Sequence, residues 1–285
     1  MNIIGMLRRV IPSQYKDTFV SLATRLTPVK ARAGYTNIYH CCVYRTGSQW
    51  IRRIFSDPRV YCWSGLKPIN GASLGGNAMN RIPVIDRAKP EGFPPKTAVT
   101  GMFISYNNFQ KMKKPENYSA FFVIRDPREL VVSWYLSTRY THVKNQGVES
   151  LRKHMAGMTD KEGVMFSIEH WRSTYLFNLL LEWKQAENID KRIKIFSFED
   201  LTGDNSFFVL KKVFSHCRIA IPDNKLESVY ESHLPQNIVS DKKFNKYSFA
   251  LRKNNLKWPD YFDNEVKDHF INNAPTLVED LGYHW

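Results

Sequence analysis

Residues 37–55 of the chain read NIYHCCVYRTGSQWIRRIF, in which an apolar run gives way to a short polar turn and then to a second apolar pattern. Residues 38–44 predict a buried β-strand and residues 49–55 predict a helix. A strand, a turn with glycine and hydroxyls, and a helix N-terminus aim backbone N–H groups at one point, which suits a phosphate or sulfate. Arg45 adds a permanent charge and Ser48 adds a hydroxyl. An ordinary strand-to-helix turn is the alternative, because one glycine does not distinguish the two.

A second junction of this kind lies at residues 121–135. Asp126 and Pro127 are placed as a helix cap and a first helical residue, directly after an apolar run that ends in Arg125. Arg125 is therefore expected at the carboxyl end of a strand, the edge where ligands bind in open α/β sheets. Ser133 lies two turns into the predicted helix and is expected to reach the same anion. Taken alone, an arginine at this place is more often a salt-bridge partner than a ligand.

Short apolar, β-branched or aromatic runs alternate with longer helix-like segments along the chain. The predicted strands are residues 38–44, 98–104, 120–124 and 193–198, and the predicted helices are residues 49–55, 128–140, 167–186, 206–217 and 264–272. This alternation predicts a three-layer α/β fold with a central, mostly parallel sheet flanked by helices. Residues 65–95 are rich in Gly, Pro and Asn and predict a long surface excursion, a kind of loop that is often functional.

Composition limits the classes of protein that the chain can belong to. Its 285 residues, 43% of them apolar, can bury one sizeable core, and length alone is compatible with one large domain or two small ones. The formal net charge of +14 favours polyanions, anionic membrane surfaces or phosphorylated ligands without choosing among them. The four cysteines have no zinc-site spacing, so we predict that they are reduced and structural. No apolar stretch approaches the roughly 20 residues of a membrane span.

The beginning of the chain is predicted to be a separate segment. An apolar start is followed by Arg8 and Arg9 but ends at Pro12, so a secretory signal peptide is not indicated. We predict a basic amphipathic segment at residues 1–34, followed by a single domain at residues 35–285. A helix packed on that domain and a peripheral membrane anchor are both compatible with the segment.

The two junctions, in this order and at this spacing, resemble the cofactor motifs of sulfotransferases that use 3'-phosphoadenosine-5'-phosphosulfate (PAPS). Residues 44–50 are similar to the 5'-phosphosulfate loop, usually written P-K-S-G-T-T-W, with Arg45 in the lysine position. Residues 125–133 match the 3'-phosphate motif, R-D-P-R-D-x-x-x-S, nearly letter for letter. Residues 198–201, FEDL, resemble the family's Y-E-D-L, and residues 252–262 resemble a degraded form of R-K-G-x-x-G-D-W-K-x-x-F. Each motif is moderately specific, and four in the right order make a specific combination.

The resemblance covers residues 37–285 and implies a P-loop-like sulfotransferase fold. It implies an enzyme that moves a sulfuryl group from PAPS to a hydroxyl or amine, releases 3',5'-diphosphoadenosine (PAP) and needs no bound metal. Arg45 would stabilise the charge on the departing 5'-phosphate, but an arginine cannot hand a proton to that group. Trp50 and Phe198 would flank the adenine, with packing in the core as their alternative role. The residues implied to bind the donor are Arg45, Thr46, Gly47, Ser48, Gln49, Trp50, Arg125, Ser133, Phe198, Arg252 and Lys253.

The catalytic base is where this sequence departs from the better-known members of the family. Those carry a histidine in a T-H-L-P segment, whereas residues 100–103 read TGMF here and contain no titratable group. His142, nine residues past the motif serine, is the candidate base, because family acceptor pockets are lined there and an imidazole can take a hydroxyl proton near neutral pH. A surface or capping role is its alternative. His40, Asp57 and Asp86 are weaker candidates.

Other function classes make different demands on the sequence. A small-molecule or nucleoside kinase needs a Walker A loop and a magnesium-binding carboxylate, neither of which is found. A nucleic-acid-binding module is expected to interleave basic and aromatic residues, whereas Lys and Arg are spread along this chain. A non-catalytic relative that binds an adenine nucleotide stays open. We expect a small-molecule, lipid or carbohydrate acceptor and no nucleic-acid partner. We also expect a cytoplasmic location, and contact of residues 1–34 with a membrane stays open.

Overall fold

A computed structural model describes residues 22–24, 26–72, 83–142, 145–234 and 257–285. The strands are β1 (Asn37–Cys42), β2 (Lys67–Asn70), β3 (Thr97–Phe103), β4 (Tyr118–Ile124) and β5 (Ile193–Ser197). The helices are α1 (Ser48–Phe55), α2 (Pro58–Ser64), α3 (Tyr106–Lys111), α4 (Pro127–Leu136), α5 (Gln146–His154), α6 (Asp160–Ser173), α7 (Leu176–Ile189), α8 (Phe198–Thr202), α9 (Ser206–His216), α10 (Asp223–Ser232), α11 (Asn264–Asn273) and α12 (Leu277–Asp280). The five strands form one parallel sheet in the order β2-β3-β1-β4-β5.

The central strand β1 shows why the sheet is covered on both faces. All six of its residues are buried. Tyr39 and Cys41 pack into one apolar cluster, while Ile38 packs into a second cluster on the opposite face. Because side chains alternate along a strand, a run that is apolar at successive positions requires a layer of helices on each side. The three-layer α/β fold predicted from the sequence is confirmed.

The predicted surface excursion at residues 65–95 contains regular structure that the sequence did not indicate. Strand β2 pairs with β3 at the edge of the sheet, and a 3₁₀ turn forms at Val84–Asp86. Three of the four residues of β2, the Lys, Pro and Asn of KPIN, are poor strand formers. An edge strand tolerates proline, because one side of its backbone has no partner strand. Residues 73–82 of the excursion lie outside the described ranges.

The helix predicted at residues 167–186 is two helices. Helix α6 begins earlier, at Asp160, where Thr159 and Glu162 form a capping box. The chain then breaks at Tyr175, whose φ of 58° lies in the left-handed region, and α7 follows. The apolar spacing continues across the break, since both helices face the same cluster. Periodicity alone therefore did not reveal the break.

Two further predicted boundaries move for local reasons. The helix predicted at residues 128–140 ends as α4 at Leu136 and continues as a π-helical turn, Ser137–Thr141, that leads to His142. The strand predicted at residues 193–198 ends one residue early. The Ser197 hydroxyl accepts a hydrogen bond from the Asp200 N–H and so caps α8.

The described part of the N-terminal segment is attached to the domain by its backbone. The N–H groups of Lys30 and Ala31 donate to the Cys62 carbonyl at 2.8 and 3.3 Å, and the Ala33 N–H donates to the Ser64 carbonyl at 2.8 Å. Residues 1–21 and residue 25 lie outside the described ranges, so the basic amphipathic segment at residues 1–34 stays a prediction.

Candidate functional site

The turn between β1 and α1 has an unusual backbone. Arg45 and Gly47 have φ angles of 69° and 74°, in the left-handed region that non-glycine residues seldom adopt. The Thr46 hydroxyl donates to the Val43 carbonyl at 3.0 Å and holds the turn together. A Cβ atom on Gly47 would lie 3.1 Å from the Phe198 ring, so glycine is favoured both by its φ and by this close approach. A non-glycine residue held in this region indicates a constrained site.

Two predicted site residues that are 88 positions apart in the chain are in direct contact. The Arg45 Nε atom donates to the Ser133 Oγ atom at 3.0 Å. A third predicted residue, Arg125, donates from Nη1 to the Arg45 carbonyl at 3.0 Å. The structure therefore brings together the turn after β1, the end of β4 and helix α4, at one edge of the sheet.

The surroundings of Arg125 place a cation beside an aromatic ring. Its guanidinium lies 4.4 Å from the centre of the Phe198 ring, and Nη2 pairs with Glu129 Oε2 at 3.3 Å. Burial lowers the pKa of Arg125, and the negative charges of Glu129 and Glu199 oppose that shift. An arginine stays charged under these conditions. Its Nε atom is buried and has no hydrogen-bond partner among the described residues.

Glu199 holds the end of β4 in place, and this role was missed in the sequence. Its Oε1 atom accepts from the Asp126 N–H at 3.1 Å. Its Oε2 atom accepts from the hydroxyls of Ser197 and Tyr283, each at 2.9 Å. Asp126 in turn caps α4 by accepting from the Arg128 N–H. The signal was present in FEDL at residues 198–201, of which only the phenylalanine was assigned a role.

The end of the chain supports the same junction from the other side. The Trp258 N–H donates to Glu129 Oε1 at 2.9 Å. The Arg128 guanidinium lies 3.9 Å from the Trp258 ring and 5.0 Å from the Trp285 ring, and it pairs with Asp126 at 2.7 Å. Trp258 belongs to the stretch at residues 252–262 that resembles a family motif, but the resemblance assigned it no role. Its contacts with Glu129 and Arg128 join residues that are more than a hundred positions apart in sequence, so no local pattern predicted them.

The other predicted donor-binding residues lie along α1 or outside the described ranges. Ser48 is buried and hydrogen-bonded to Cys42, while Gln49 is exposed. Trp50 packs edge-on against Tyr230, with ring centres 6.5 Å apart, and its buried Nε1 has no partner among the described residues. Both roles weighed for Trp50 are thus compatible with its place. Arg252 and Lys253 fall within residues 235–256, which lie outside the described part of the chain.

The candidates for a catalytic base occupy different environments. His142 is exposed at the end of the π-helical turn, and its carbonyl accepts from Arg152. His40 is fully buried between strands, and burial lowers its pKa to about 3. Burial alone would raise the pKa of Asp57, but hydrogen bonds from Arg59 and His233 outweigh it and lower that pKa. Asp86 is exposed at the 3₁₀ turn, where it lines a polar cavity of about 500 Å³. Of these groups, His142 and Asp86 are open to solvent.

Neither a metal site nor a membrane span is evident in the described ranges. Their His, Cys, Asp and Glu side chains form no group of three that could hold a metal ion. Within the same ranges, no helix combines the length and the apolar character needed to cross a bilayer.

Comparisons with known proteins agree with this geometry. A family model described as the sulfotransferase domain matches residues 37–274, which is most of the chain. The chain therefore belongs to the sulfotransferase-domain family, whose members are PAPS-dependent transferases, and it has their P-loop-like α/β fold. A search of curated proteins finds no match.

Two solved structures show the same fold. The mouse sulfotransferase SULT7A1, complexed with PAP, is similar at 15% sequence identity with a TM-score of 0.53, over 90% of this chain and 89% of that chain. Retinol dehydratase, in complex with androsterone and inactive cofactor PAP, is similar at 12% identity with a TM-score of 0.54, over 87% of this chain and 82% of that chain.

Proposed function

We propose that this chain transfers the sulfuryl group of PAPS to a hydroxyl or amine of a small-molecule, lipid or carbohydrate acceptor, and that the edge formed by Arg45, Arg125 and Ser133 binds the donor. The observation that carries the proposal is the direct contact of these three residues, which come from two separate sequence motifs. The hydrogen bonds join two arginines and a hydroxyl into one set, which supplies positive charge and donors to a phosphate or sulfate.

Each group has a defined part in the proposed reaction. The acceptor oxygen attacks sulfur, the bond from sulfur to the bridging oxygen breaks, and its electron pair stays on the departing 5'-phosphate. Arg45 stabilises the charge that develops there, and the N-terminus of α1, with Thr46 to Gln49, orients the phosphosulfate. Positioning and electrostatics dominate, as in phosphoryl transfer.

The other end of the donor is assigned to the second motif. Arg125 and Ser133, with Arg252 and Lys253, bind the 3'-phosphate in this proposal. Phe198 and Trp50 flank the adenine. The support for Phe198 is its position 4.4 Å from the Arg125 guanidinium and in contact distance of Gly47. His142 remains the proposed base, and its exposure at the end of the helix that carries Ser133 is compatible with proton transfer to solvent.

Calorimetry with PAP tests the proposed donor. We expect PAP to bind with a Kd at least about a hundredfold lower than that of ATP, because ATP has no 3'-phosphate to pair with Arg125. Single-stranded DNA serves as a polyanion control, since its binding should fall steeply as salt is added. Binding of ATP or DNA as tight as that of PAP would reject the proposed function.

A separate observation supports a membrane-facing role for the start of the chain. We propose that residues 1–34 contact an anionic lipid surface, and the support comes from the described part of this segment. Leu22 and Leu26 are 54% and 77% exposed, although the neighbouring backbone is hydrogen-bonded to the domain. Lys30 and Arg32 follow within ten residues and are exposed as well, so the segment presents both the apolar and the basic groups that interfacial binding requires. This proposal includes the boundary at residue 34 between the segment and the domain, and it includes a cytoplasmic location for the protein.

Vesicle sedimentation tests the lipid contact. Leu26→Asp is expected to lower the bound fraction on vesicles containing phosphatidylserine by about fivefold or more, because an aspartate opposes both apolar insertion and the anionic surface. Ile189→Asp is the matched control, since Ile189 is 76% exposed elsewhere on the domain. Equal binding of the two variants and the wild-type chain would remove the role assigned to this segment.

A further inference from the structure

Apart from the turn after β1 and helix α1, the described residues assigned to the donor come from the ends of β4 and β5 and from α4. These two strands lie on one side of β1 in the sheet. Strand β3 is the other neighbour of β1, and Phe103 at its end is the register partner of Cys42. In-line transfer requires the acceptor to approach sulfur from the side opposite the leaving phosphate. The end of β3 is therefore where acceptor-side groups are expected.

Tyr44 projects toward that side, while its neighbour Arg45 projects toward Ser133. The Tyr44 ring lies 5.2 Å from the Phe103 ring, at an interplanar angle of 31°. Its hydroxyl oxygen accepts a hydrogen bond from Arg87 Nη2 at 3.1 Å. No acceptor for the hydroxyl hydrogen of Tyr44 is found among the described residues, and the side chain is only partly buried.

Arg87 is held firmly behind the tyrosine. It is 8% exposed, and its guanidinium lies 5.8 Å from the Phe103 ring. Its carbonyl and that of Ile85 accept hydrogen bonds from the Asn108 side chain at 3.1 and 2.8 Å. The charge of Arg87 also reaches Cys42 beneath the donor turn: burial raises the pKa of this thiol, and Arg87 opposes that rise. A segment of the predicted excursion thus places a cation beside the proposed reaction centre.

Hydrogen-bond directions determine what this pair can do. The guanidinium has donors only, so Arg87 must donate to the phenol oxygen, and the phenol hydrogen points elsewhere. A hydroxyl that accepts a hydrogen bond becomes a stronger donor itself, because linked hydrogen bonds polarise one another. The family's histidine position is a glycine in this chain, Gly101, so that position contributes no side chain to this space.

We propose that Tyr44, positioned by Arg87, donates a hydrogen bond to the attacking oxygen of the acceptor and so aligns it with the sulfur of the donor. This inference rests on the proposed function. One lone pair of the acceptor oxygen accepts from Tyr44 and another faces sulfur. The oxygen–sulfur bond forms as the bond to the bridging oxygen breaks, and the acceptor proton leaves to the base or to water. Tyr44 keeps its own proton throughout.

The proposal also constrains the class of acceptor. An oxygen nucleophile has the second lone pair that the Tyr44 hydroxyl requires, whereas an amine nucleophile has only one, which must attack sulfur. Tyr44 therefore favours alcohols, phenols and water over amines. Water is the simplest such nucleophile, and it allows a test before the natural acceptor is identified.

The test measures PAP formation from PAPS with water as the acceptor, under single-turnover conditions, together with PAP affinity by calorimetry. Tyr44→Phe keeps the ring and its contact with Phe103 but removes the hydroxyl. We expect PAP formation to slow by about tenfold to a hundredfold, because a misaligned nucleophile loses the benefit of orientation, while the Kd for PAP stays within about twofold. Tyr106→Phe is the matched control, since its hydroxyl accepts from Gln110 on α3 and no step is assigned to it.

Arg87 variants separate positioning from a purely structural contribution. Arg87→Met is expected to slow PAP formation to a similar degree, and the double variant should be no slower than the slower single variant, because the two residues act as a unit. Arg87→Lys retains a donor and should recover part of the rate at an unchanged thermal midpoint. Unchanged turnover in Tyr44→Phe, or single-variant effects that multiply, would overturn the inference. If the wild-type chain does not bind PAP, that result would instead reject the proposed function.

Discussion

Arg45→Met is expected to lower the rate of sulfuryl transfer by about a thousandfold, which corresponds to roughly 4 kcal/mol of transition-state stabilisation. The physical reason is that charge moves to the bridging oxygen as its bond to sulfur breaks, and a fixed cation is worth most where charge develops. Binding of PAPS before that step should weaken much less, because the charge is spread over more groups in the ground state. Single-turnover assays with radiolabelled PAPS and a panel of lipids, sugars and phenols separate the two effects.

Arg45→Lys is the control for this experiment. It keeps a positive charge at the same backbone position, where every non-glycine residue meets the same left-handed φ of 69°. We expect it to retain activity to within about tenfold, since a lysine ammonium can reach the same oxygen as a point charge. Similar losses in the methionine and lysine variants would show that the guanidinium shape or the backbone matters here rather than the charge.

Arg125→Met is expected to weaken PAP binding by about 100-fold, or roughly 3 kcal/mol, because in the proposed site it removes charge-assisted hydrogen bonds to the 3'-phosphate. The loss should appear in the Kd for PAP and the KM for PAPS, with little change in kcat, since the 3'-phosphate takes no part in bond breaking. Titration calorimetry with PAP, and with adenosine 5'-phosphate as a ligand that lacks the 3'-phosphate, measures it. The variant should bind the two ligands almost equally.

Loss of folding must be distinguished from loss of binding in this case. Removing Arg125 leaves the half-buried carboxylate of Glu129 without its cation, and burial already raises the pKa of Glu129. The double variant Arg125→Met/Glu129→Gln removes that unpaired charge and should restore the thermal midpoint without restoring PAP affinity. Full PAP affinity in the double variant would contradict the assignment of Arg125.

Tyr283→Phe, which removes one hydrogen bond to Glu199, should weaken PAP binding by only about tenfold.

Local sequence patterns were sufficient to locate the two strand-to-helix junctions. The turn at residues 44–50 and the junction at Arg125 are predicted as anion sites, because each combines a strand end, a helix start and a cation within a few residues. Such features depend on neighbours in the chain, and the structure places them where strand and helix signals predicted. The predicted helix at residues 167–186 shows the limit: a left-handed residue at Tyr175 interrupts it without disturbing the apolar spacing.

The supporting residues could not be inferred in the same way. Glu199 and Tyr283 contribute through a hydrogen bond that spans 84 positions, and Trp258 reaches Glu129 across 129 positions. A glutamate or a tyrosine has no local pattern that reveals such a partner. Arg87 is a similar case, since it lies in a stretch predicted only as a surface excursion but is buried against Tyr44.

The sequence by itself determined the fold class, the order of the two strand-to-helix junctions and the arginine that each of them carries, because these depend on short-range periodicity and on residue chemistry. Only the tertiary structure decided which residues meet: Arg45 with Ser133, Arg125 with the Arg45 carbonyl, and Arg87 with Tyr44. The physical reason is that parallel strands bring their carboxyl ends to one edge whatever their separation in the chain. The pairing of side chains at that edge depends on strand order and on the path of the loops, which local patterns do not encode.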